Sequence, residues 1–274
     1  MRGLVFNKMS GSGNDFVILD GRHTTASDWT PERIRWVCDR RQGVGADGLV
    51  ILAPAGPGQV RMDFWNCDGS QAEMCGNAAL CSTRLAAFLE MAPAAGMNLI
   101  TKAGTFPVRC LPGPKEEAEL NLPDFDLPVR PAGLKPAAGE EPPVLVTVGV
   151  PHLIVGVDDL ERQGLMERGK ELRFNAALGS AGANVNFVAR TNGAEPGGWR
   201  MRTYERGVEG ETLACGTGAV AVAVALAQGG QATMPVTLIT RSGRPLRIRA
   251  TLSGGRASQV WLSGEGRMVF RGVL

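Results

Sequence analysis

Glu73-Met74-Cys75-Gly76-Asn77-Ala78-Ala79-Leu80 sets a cysteine and two small residues directly before an apolar run that reads as a helix. A second such stretch stands 140 positions on, counted from Cys75 to Cys215: Leu213-Ala214-Cys215-Gly216-Thr217-Gly218-Ala219-Val220. Ala219 to Ala227 contains no polar residue. A helix apolar on every side has to be buried all round, so the rest of its domain must wrap around it. The first-half helix, roughly 76 to 91, has the same character except where Arg84 interrupts it.

Working outward from these stretches, the same order of elements occurs twice. Gly149-Val150-Pro151-His152-Leu153-Ile154-Val155 stands where Gly13-Asn14-Asp15-Phe16-Val17 stood, and Gly182-Ala183-Asn184-Val185-Asn186-Phe187-Val188 where the Gly43 to Val50 loop and strand stood. Tyr204-Glu205-Arg206 matches Phe64-Trp65-Asn66, and Ser242-Gly243-Arg244-Pro245 matches the stretch from Ala103 to Pro107. Matches in one order at near-constant spacing argue for a duplicated fold. Residues 4 to 20 read as a hairpin with Asn14 near its tip, and Thr30-Pro31 as the start of a helix whose Ile34, Val37 and Cys38 share a face. Six of the 17 prolines fall between Pro123 and Pro143, which suits a linker. The expected class is α+β, with two pseudo-symmetric domains, each a curved, mainly antiparallel sheet or barrel around a central helix. Their expected limits are 1–122 and 144–267, joined by 123–143, with the final strand, 268–274, completing the first domain.

Composition narrows the function. Lys plus Arg outnumber Asp plus Glu only by 29 to 27, and the basic residues are scattered, so no electrostatic footprint for nucleic acid is present. The N-terminus lacks the apolar core of a signal peptide, and no apolar run approaches the roughly 20 residues of a spanning helix. A cytoplasmic protein without a membrane or nucleic-acid partner is expected. None of the six cysteines forms a Cys-x-x-Cys pair and only His23 and His152 could add imidazole ligands, so no metal is expected. Cys38, Cys67, Cys81 and Cys110 read as buried small hydrophobes. Gly43-Val44-Gly45-Ala46-Asp47-Gly48 precedes a strand, the reverse of a dinucleotide-binding loop.

The first amides of a helix have no partner inside it, and its dipole adds positive charge there. A cysteine at that end is drawn toward the thiolate, and Gly76 and Gly216 let a ligand approach the backbone. Two such ends related by duplication could hold one carboxylate, with the two thiols flanking the adjoining carbon from opposite faces. That arrangement removes a proton from one side of a stereocentre and returns one on the other, with the thiols in unlike protonation states. Asn14, Asn66, Asn184, Glu205 and Arg206 are polar neighbours carried by loops or strand ends in the same stretches.

On these residues the chain resembles the diaminopimelate epimerases: Cys75-Gly76-Asn77, Cys215-Gly216-Thr217-Gly218, Gly11-x-Gly13-Asn14-Asp15-Phe16, Asn66-x-Asp68-Gly69-Ser70, Asn184-Val185-Asn186-Phe187 and Tyr204-Glu205-Arg206-Gly207 fall in that family's order. The resemblance implies a cofactor-independent, homodimeric enzyme that interconverts LL- and meso-diaminopimelate for lysine and peptidoglycan synthesis. It makes Cys75 and Cys215 the acid/base pair. Gly76, Asn77, Gly216 and Thr217 would bind the reacting carboxylate, and Arg206 the distal one. Asn14, Asn66, Asn184 and Glu205 would hold amino and carboxylate groups, with His152 behind the site.

The chain departs from the family pattern at Val150, where many members have asparagine, and at Gly48, where many have glutamine. Three other readings stay open at this point: a racemase of another amino acid, akin to those acting on histidine or proline, an amino acid binding protein without catalysis, and a thiol redox sensor.

Overall fold

The computed structural model describes residues 3–191 and 198–274, in two compact units: Met1–Asn121 with Ser263–Leu274, and Leu122–Leu262. In the first unit β1 (Val5–Gly11) and β2 (Asn14–Asp20) form the hairpin that the glycine turn encodes, with Gly11 opposite Asn14. Helix α1 (Pro31–Cys38) follows, capped by the Thr30 hydroxyl, and buries Ile34, Val37 and Cys38. Next, β3 (Gly48–Gly56) runs parallel to β2 and antiparallel to β4 (Gln59–Asn66). The short β5 (Gln71–Ala72) turns the chain into α2 (Gly76–Phe88), after which β6 (Met97–Thr101), β7 (Gly104–Cys110) and β8 (Glu117–Leu122) complete the sheet.

Strands Phe16-Val17-Ile18-Leu19 and Leu49-Val50-Ile51-Leu52 are apolar without alternation because both faces are covered, a consequence of the parallel pairing. On one face Val17, Leu19, Leu49 and Ile51 form a core with Ile34 and Val37 of α1. On the other, α2 touches β1 to β4, β6 and β7. The sheet thus curls around α2, and even Ser82 and Thr83 in mid-helix are fully buried. Thr83 can be there because its hydroxyl donates to Ala79 O at 2.8 Å.

The second unit repeats the pattern. After β9 (Phe125–Asp126), β10 (Val144–Val148) and β11 (Val150–Gly156) are antiparallel neighbours. Helix α3 (Leu165–Arg173) intervenes, and β12 (Asn184–Arg190) lies parallel to β11 and antiparallel to β13 (Trp199–Glu205). Then come β14 (Gly210–Thr212), α4 (Gly216–Gln228), β15 (Val236–Ile239), β16 (Pro245–Ser253) and β17 (Arg256–Glu265). Val185, Phe187 and Ala189 face a core that includes Leu165 and Leu172 of α3, while α4 lies against β10, β11, β12, β15 and β16. The parallel ladders correspond between units, Gly48 opposite Phe16 and Asn184 opposite His152, whereas Leu49 faces Trp65 and Val185 faces Tyr204, a shift of one residue from the sequence match on the antiparallel side.

Two segments behave individually. The proline-rich stretch groups with the second unit, held by the bridges Val129↔Leu145 and Glu140↔Val157. The Glu140 carboxylate, closed off from solvent, meets Arg162 at 2.6 Å and Arg168 at 3.0 Å. The last strand, β18 (Arg267–Val273), pairs antiparallel with β1 over Val5↔Val273 to Ser10↔Arg267, so the end of the sequence lies in the first unit. Among the described residues no helix is long and apolar enough to cross a membrane.

Candidate active site

Cys75 and Cys215 occupy the same place in their units. Each is the residue before its central helix, with extended backbone (φ −135°, ψ 123° and φ −123°, ψ 112°). The first intrahelical bonds run from Ala79 N to Cys75 O and from Ala219 N to Cys215 O, both 2.9 Å. The amides of residues 76–78 and 216–218 therefore have no acceptor within the helix, and their positive ends lie beside the cysteine. Helix geometry makes this an anion-binding terminus in each unit.

In the first unit Gly76 and Asn77 are buried at the helix start. Asn77 Nδ2 donates to Asn14 Oδ1 at 2.9 Å, and Asn14 Nδ2 donates to Asp47 Oδ2 at 3.0 Å. Asp47 is held in turn: Arg40 bridges its carboxylate and that of Asp15 at 2.7 Å each, and Lys8 Nζ lies 2.6 Å from Asp15. Burial would raise the Asp15 carboxyl, but hydrogen bonds from Arg40 and Lys8 carry it below the usual carboxylate range. Asn66 is not drawn into this network. It is exposed at the end of β4 and donates to Ser70 Oγ at 3.1 Å. A Cβ at Gly48, which faces Asn66 across the ladder, would lie 2.5 Å from the Phe64 ring and 2.6 Å from Trp65 O.

The second unit brings more of the expected residues together. His152 is fully buried, with Nε2 3.0 Å from Thr217 Oγ1, which is 3.7 Å from Cys215 Sγ. Burial and, secondarily, the charge of Arg206 push His152 down to about 3, so it is neutral at physiological pH. Asn184 Oδ1 accepts from the Arg206 backbone N–H at 2.7 Å, which ties β12 to the turn after β13. Glu205 accepts from Thr212 Oγ1 at 2.7 Å, and burial raises its carboxyl more than this bond lowers it. Gly216 is buried. Gly218 is needed for close approach: a Cβ there would collide with Asn186 Oδ1 and lie 3.2 Å from Cys215 Sγ.

Asn186 and Thr203 were not among the expected site residues, yet both are buried within this cluster. Asn186 contacts His152 and Leu153, and Thr203 Oγ1 donates to Asn186 Oδ1 at 2.9 Å. The signal was available: Asn184 and Asn186, two apart on a strand, share a face, and a polar residue on the face opposite Val185 and Phe187 has to be bonded.

None of the six cysteines is joined in a disulfide. The expectation that the other four are buried holds for Cys38 and Cys81, whereas Cys67 is exposed and Cys110 half-buried, because each lies at or beyond the end of its strand. Burial pushes Cys38 up to about 12 and Cys81 well above the ordinary thiol value, and it also raises Cys67 and Cys110. These four are therefore held protonated, which leaves the two helix-cap thiols as the candidates for chemistry.

The diaminopimelate epimerase family model matches residues 6–112 and 144–256, one block in each half of the chain. The diaminopimelate epimerase of Gemmatimonas aurantiaca is 44% identical over 98% of both chains, and that of Aquifex aeolicus 36% identical over 98% of this chain and 97% of its own. Among solved structures, a phenazine biosynthesis protein of the PhzF family from Bacillus anthracis has TM-score 0.76 at 13% identity, covering 100% of this chain and 99% of its own. A predicted epimerase from Pseudomonas aeruginosa has TM-score 0.67 at 18% identity, covering 99% of each chain. At those identities the structural matches establish the two-domain α+β fold alone, whereas the sequence matches run end to end at family level. With a capping cysteine in each matched block, the chain belongs to the diaminopimelate epimerase family.

Proposed function

We propose that this chain interconverts LL- and meso-diaminopimelate by a two-thiol acid/base reaction, with Cys75 and Cys215 as the acid/base pair. The observation that carries the reading is the repetition itself: each unit sets a cysteine at the first turn of its central helix, in equivalent register. One thiolate removes the Cα proton and the other thiol returns a proton to the opposite face, after which their states are exchanged. The developing negative charge on the α-carboxylate is received by the amides of Gly76, Asn77, Gly216 and Thr217. Loss of one such preorganised donor costs about 2.7 to 4 kcal/mol of transition-state stabilisation in comparable sites. Arg206 takes the distal carboxylate through its planar fork, and Asn14, Asn66, Asn184 and Glu205 hold the remaining amino and carboxylate oxygens and nitrogens. His152 acts from behind Thr217 rather than on substrate.

The enzyme works without an added electrophile in this reading, so the test uses protein freed of pyridoxal phosphate. Proton NMR of LL-diaminopimelate in D₂O should show loss of the Cα proton together with the meso form. Cys75→Ala and Cys215→Ala should each abolish it, and near-normal turnover in either variant overturns the two-base scheme. A racemase of another amino acid is the alternative, because Val150 and Gly48 leave fewer polar side chains for substrate than the family pattern carries at those positions. Exchange in a wider amino acid panel with none in diaminopimelate would establish that alternative. A homodimer in the cytoplasm, free of nucleic acid and membrane, completes the proposal. Six cysteines outside any disulfide suit the reducing compartment, and sedimentation at micromolar concentration tests the dimer.

A further inference from the structure

Behind Cys215 lies a run of polar side chains for which the reaction as written has no use. Leu153 O can only accept, and at 3.3 Å it takes the Asn186 amide nitrogen. The Asn186 oxygen is then turned to Thr203, whose hydroxyl donates to it at 2.9 Å. With the carboxamide fixed in this sense, its nitrogen is also 3.2 Å from His152 Nδ1. A carboxamide nitrogen only donates, so Nδ1 accepts and the imidazole proton stands on Nε2. Nε2 therefore donates to Thr217 Oγ1 at 3.0 Å. The hydroxyl retains its own proton, and Cys215 Sγ at 3.7 Å is next in line to receive it as a hydrogen bond.

We propose that Thr203, Asn186 and His152 are positioning residues that aim the Thr217 hydroxyl proton at Cys215 Sγ, so that the resting protein holds Cys215 as thiolate and leaves the exchangeable proton on Cys75. The proposal rests on the acid/base role given to Cys215 above. No proton travels along the chain. Each hydrogen bond sets the sense of the next, and the direction starts from a backbone carbonyl that cannot reverse.

Two further observations agree. His152 is fully buried and its ordinary value is strongly lowered by that burial, so the imidazole stays neutral and its Nδ1 stays an acceptor. The two units also differ at this point. The residue two places after Cys75 is Asn77, a carboxamide whose nitrogen donates to Asn14, where the residue two places after Cys215 is a hydroxyl. The duplicated scaffold thus carries different polar support for its two thiols, which is what a reaction needing one base and one acid at rest calls for.

The chain contains only two histidines, and His23 is mostly exposed, so ¹⁵N-histidine NMR separates them. His152 should show the Nε2–H tautomer in the parent protein. Asn186→Asp, of the same shape, presents an acceptor to Nδ1 and should move the proton there. Ultraviolet thiolate absorbance at fixed neutral pH, read in a Cys75→Ser background where burial keeps the other four thiols protonated, reports Cys215. It should be present with Thr217 or Thr217→Ser and lost with Thr217→Val or Asn186→Asp. In the Cys75-containing protein, kcat should fall roughly tenfold to a hundredfold in Thr217→Val, the scale of one hydrogen bond to a charged group, with KM within about threefold, and Thr217→Ser should restore it. An Nδ1–H tautomer in the parent, or an undiminished thiolate signal in Thr217→Val, overturns the proposal. The expected tautomer and thiolate with no exchange of any amino acid would uphold the hydrogen-bond chain and sink the reaction reading instead.

Discussion

Asn77 Nδ2 donates to Asn14 Oδ1 across 2.9 Å, so the first turn of α2 is fastened to the tip of the β1–β2 hairpin by two carboxamides. The sense of that bond is set from behind, since Asn14 Nδ2 donates to Asp47, itself held by Arg40. Substitution Asn14→Asp keeps the shape and places a carboxylate oxygen against Asp47. A loss of about 1 to 3 kcal/mol in urea denaturation is expected, the usual penalty for an unmade buried hydrogen bond. Epimerase kcat/KM should fall with it, since repulsion from Asp47 would displace the oxygen that accepts from Asn77.

His152 gives the second unit a built-in acid sensitivity. Its folded value, about 3, lies below the ordinary 6.5, so the unfolded chain takes up a proton that the folded one refuses. Stability present above pH 6.5 is therefore lost as pH falls toward 3, by about 2 kcal/mol between pH 6.5 and pH 5. Denaturation at the two pH values should show this slope in the parent protein. In His152→Gln it should be flatter by that amount, and an unchanged slope would refute the assignment.

Glu205 has the opposite sign. Burial raises its carboxyl, so the folded state binds the proton more readily than the unfolded chain, and this group's contribution declines as pH rises through the interval above 4.5. Glu205→Gln removes the desolvation of a carboxylate while keeping an acceptor for Thr212. At pH 7 the variant should be at least as stable as the parent. Its turnover should nevertheless drop at least tenfold if Glu205 holds the substrate. Equal activity would remove it from the site.

At Gly48 the structure argues against introducing the glutamine of the family pattern. The Cβ alone would press on the Phe64 ring and Trp65 O, at 2.5 and 2.6 Å, and the backbone carbonyl cannot step aside. Gly48→Gln should lower stability by about 1 to 3 kcal/mol, the range for overpacking. A thermal melt that rises instead would mean that β3 and β4 have room to separate.

Much of this arrangement is legible before folding. Ala219 to Ala227 demands burial on every side, and the repeated Cys-Gly pairs mark the start of both central helices. The Thr30-Pro31 start of α1 is written in capping chemistry. Helix α3 is not legible: its first turn follows Gly164 in the left-handed conformation, it has no side-chain cap, and only the face carrying Leu165, Gly169 and Leu172 is apolar and buried. Gly169 belongs to that face because a Cβ there would strike Tyr204, which no local pattern announces. Asn66 shows the limit from the other side. It is proposed above as a substrate contact, yet its amide donates to Ser70 Oγ as a turn residue's would, so its place beside the turn does not by itself separate the two roles. His152, Asn186 and Thr217 lie far apart in sequence; the parallel pairing of β11 with β12 brings the first two together, and the packing of α4 against both strands adds Thr217.

The return of β18 to β1 makes the order of synthesis matter. The first unit emerges from the ribosome with an edge of β1 unpaired, and it stays so until residues 267–273 arrive after the entire second unit. The half made first is thus the half finished last. An early stop at residue 266 or 267 would leave the second unit's strands whole and expose β1 as an open edge, the kind of surface through which chains pair with one another, so such truncations should appear as aggregates rather than as weakened enzymes.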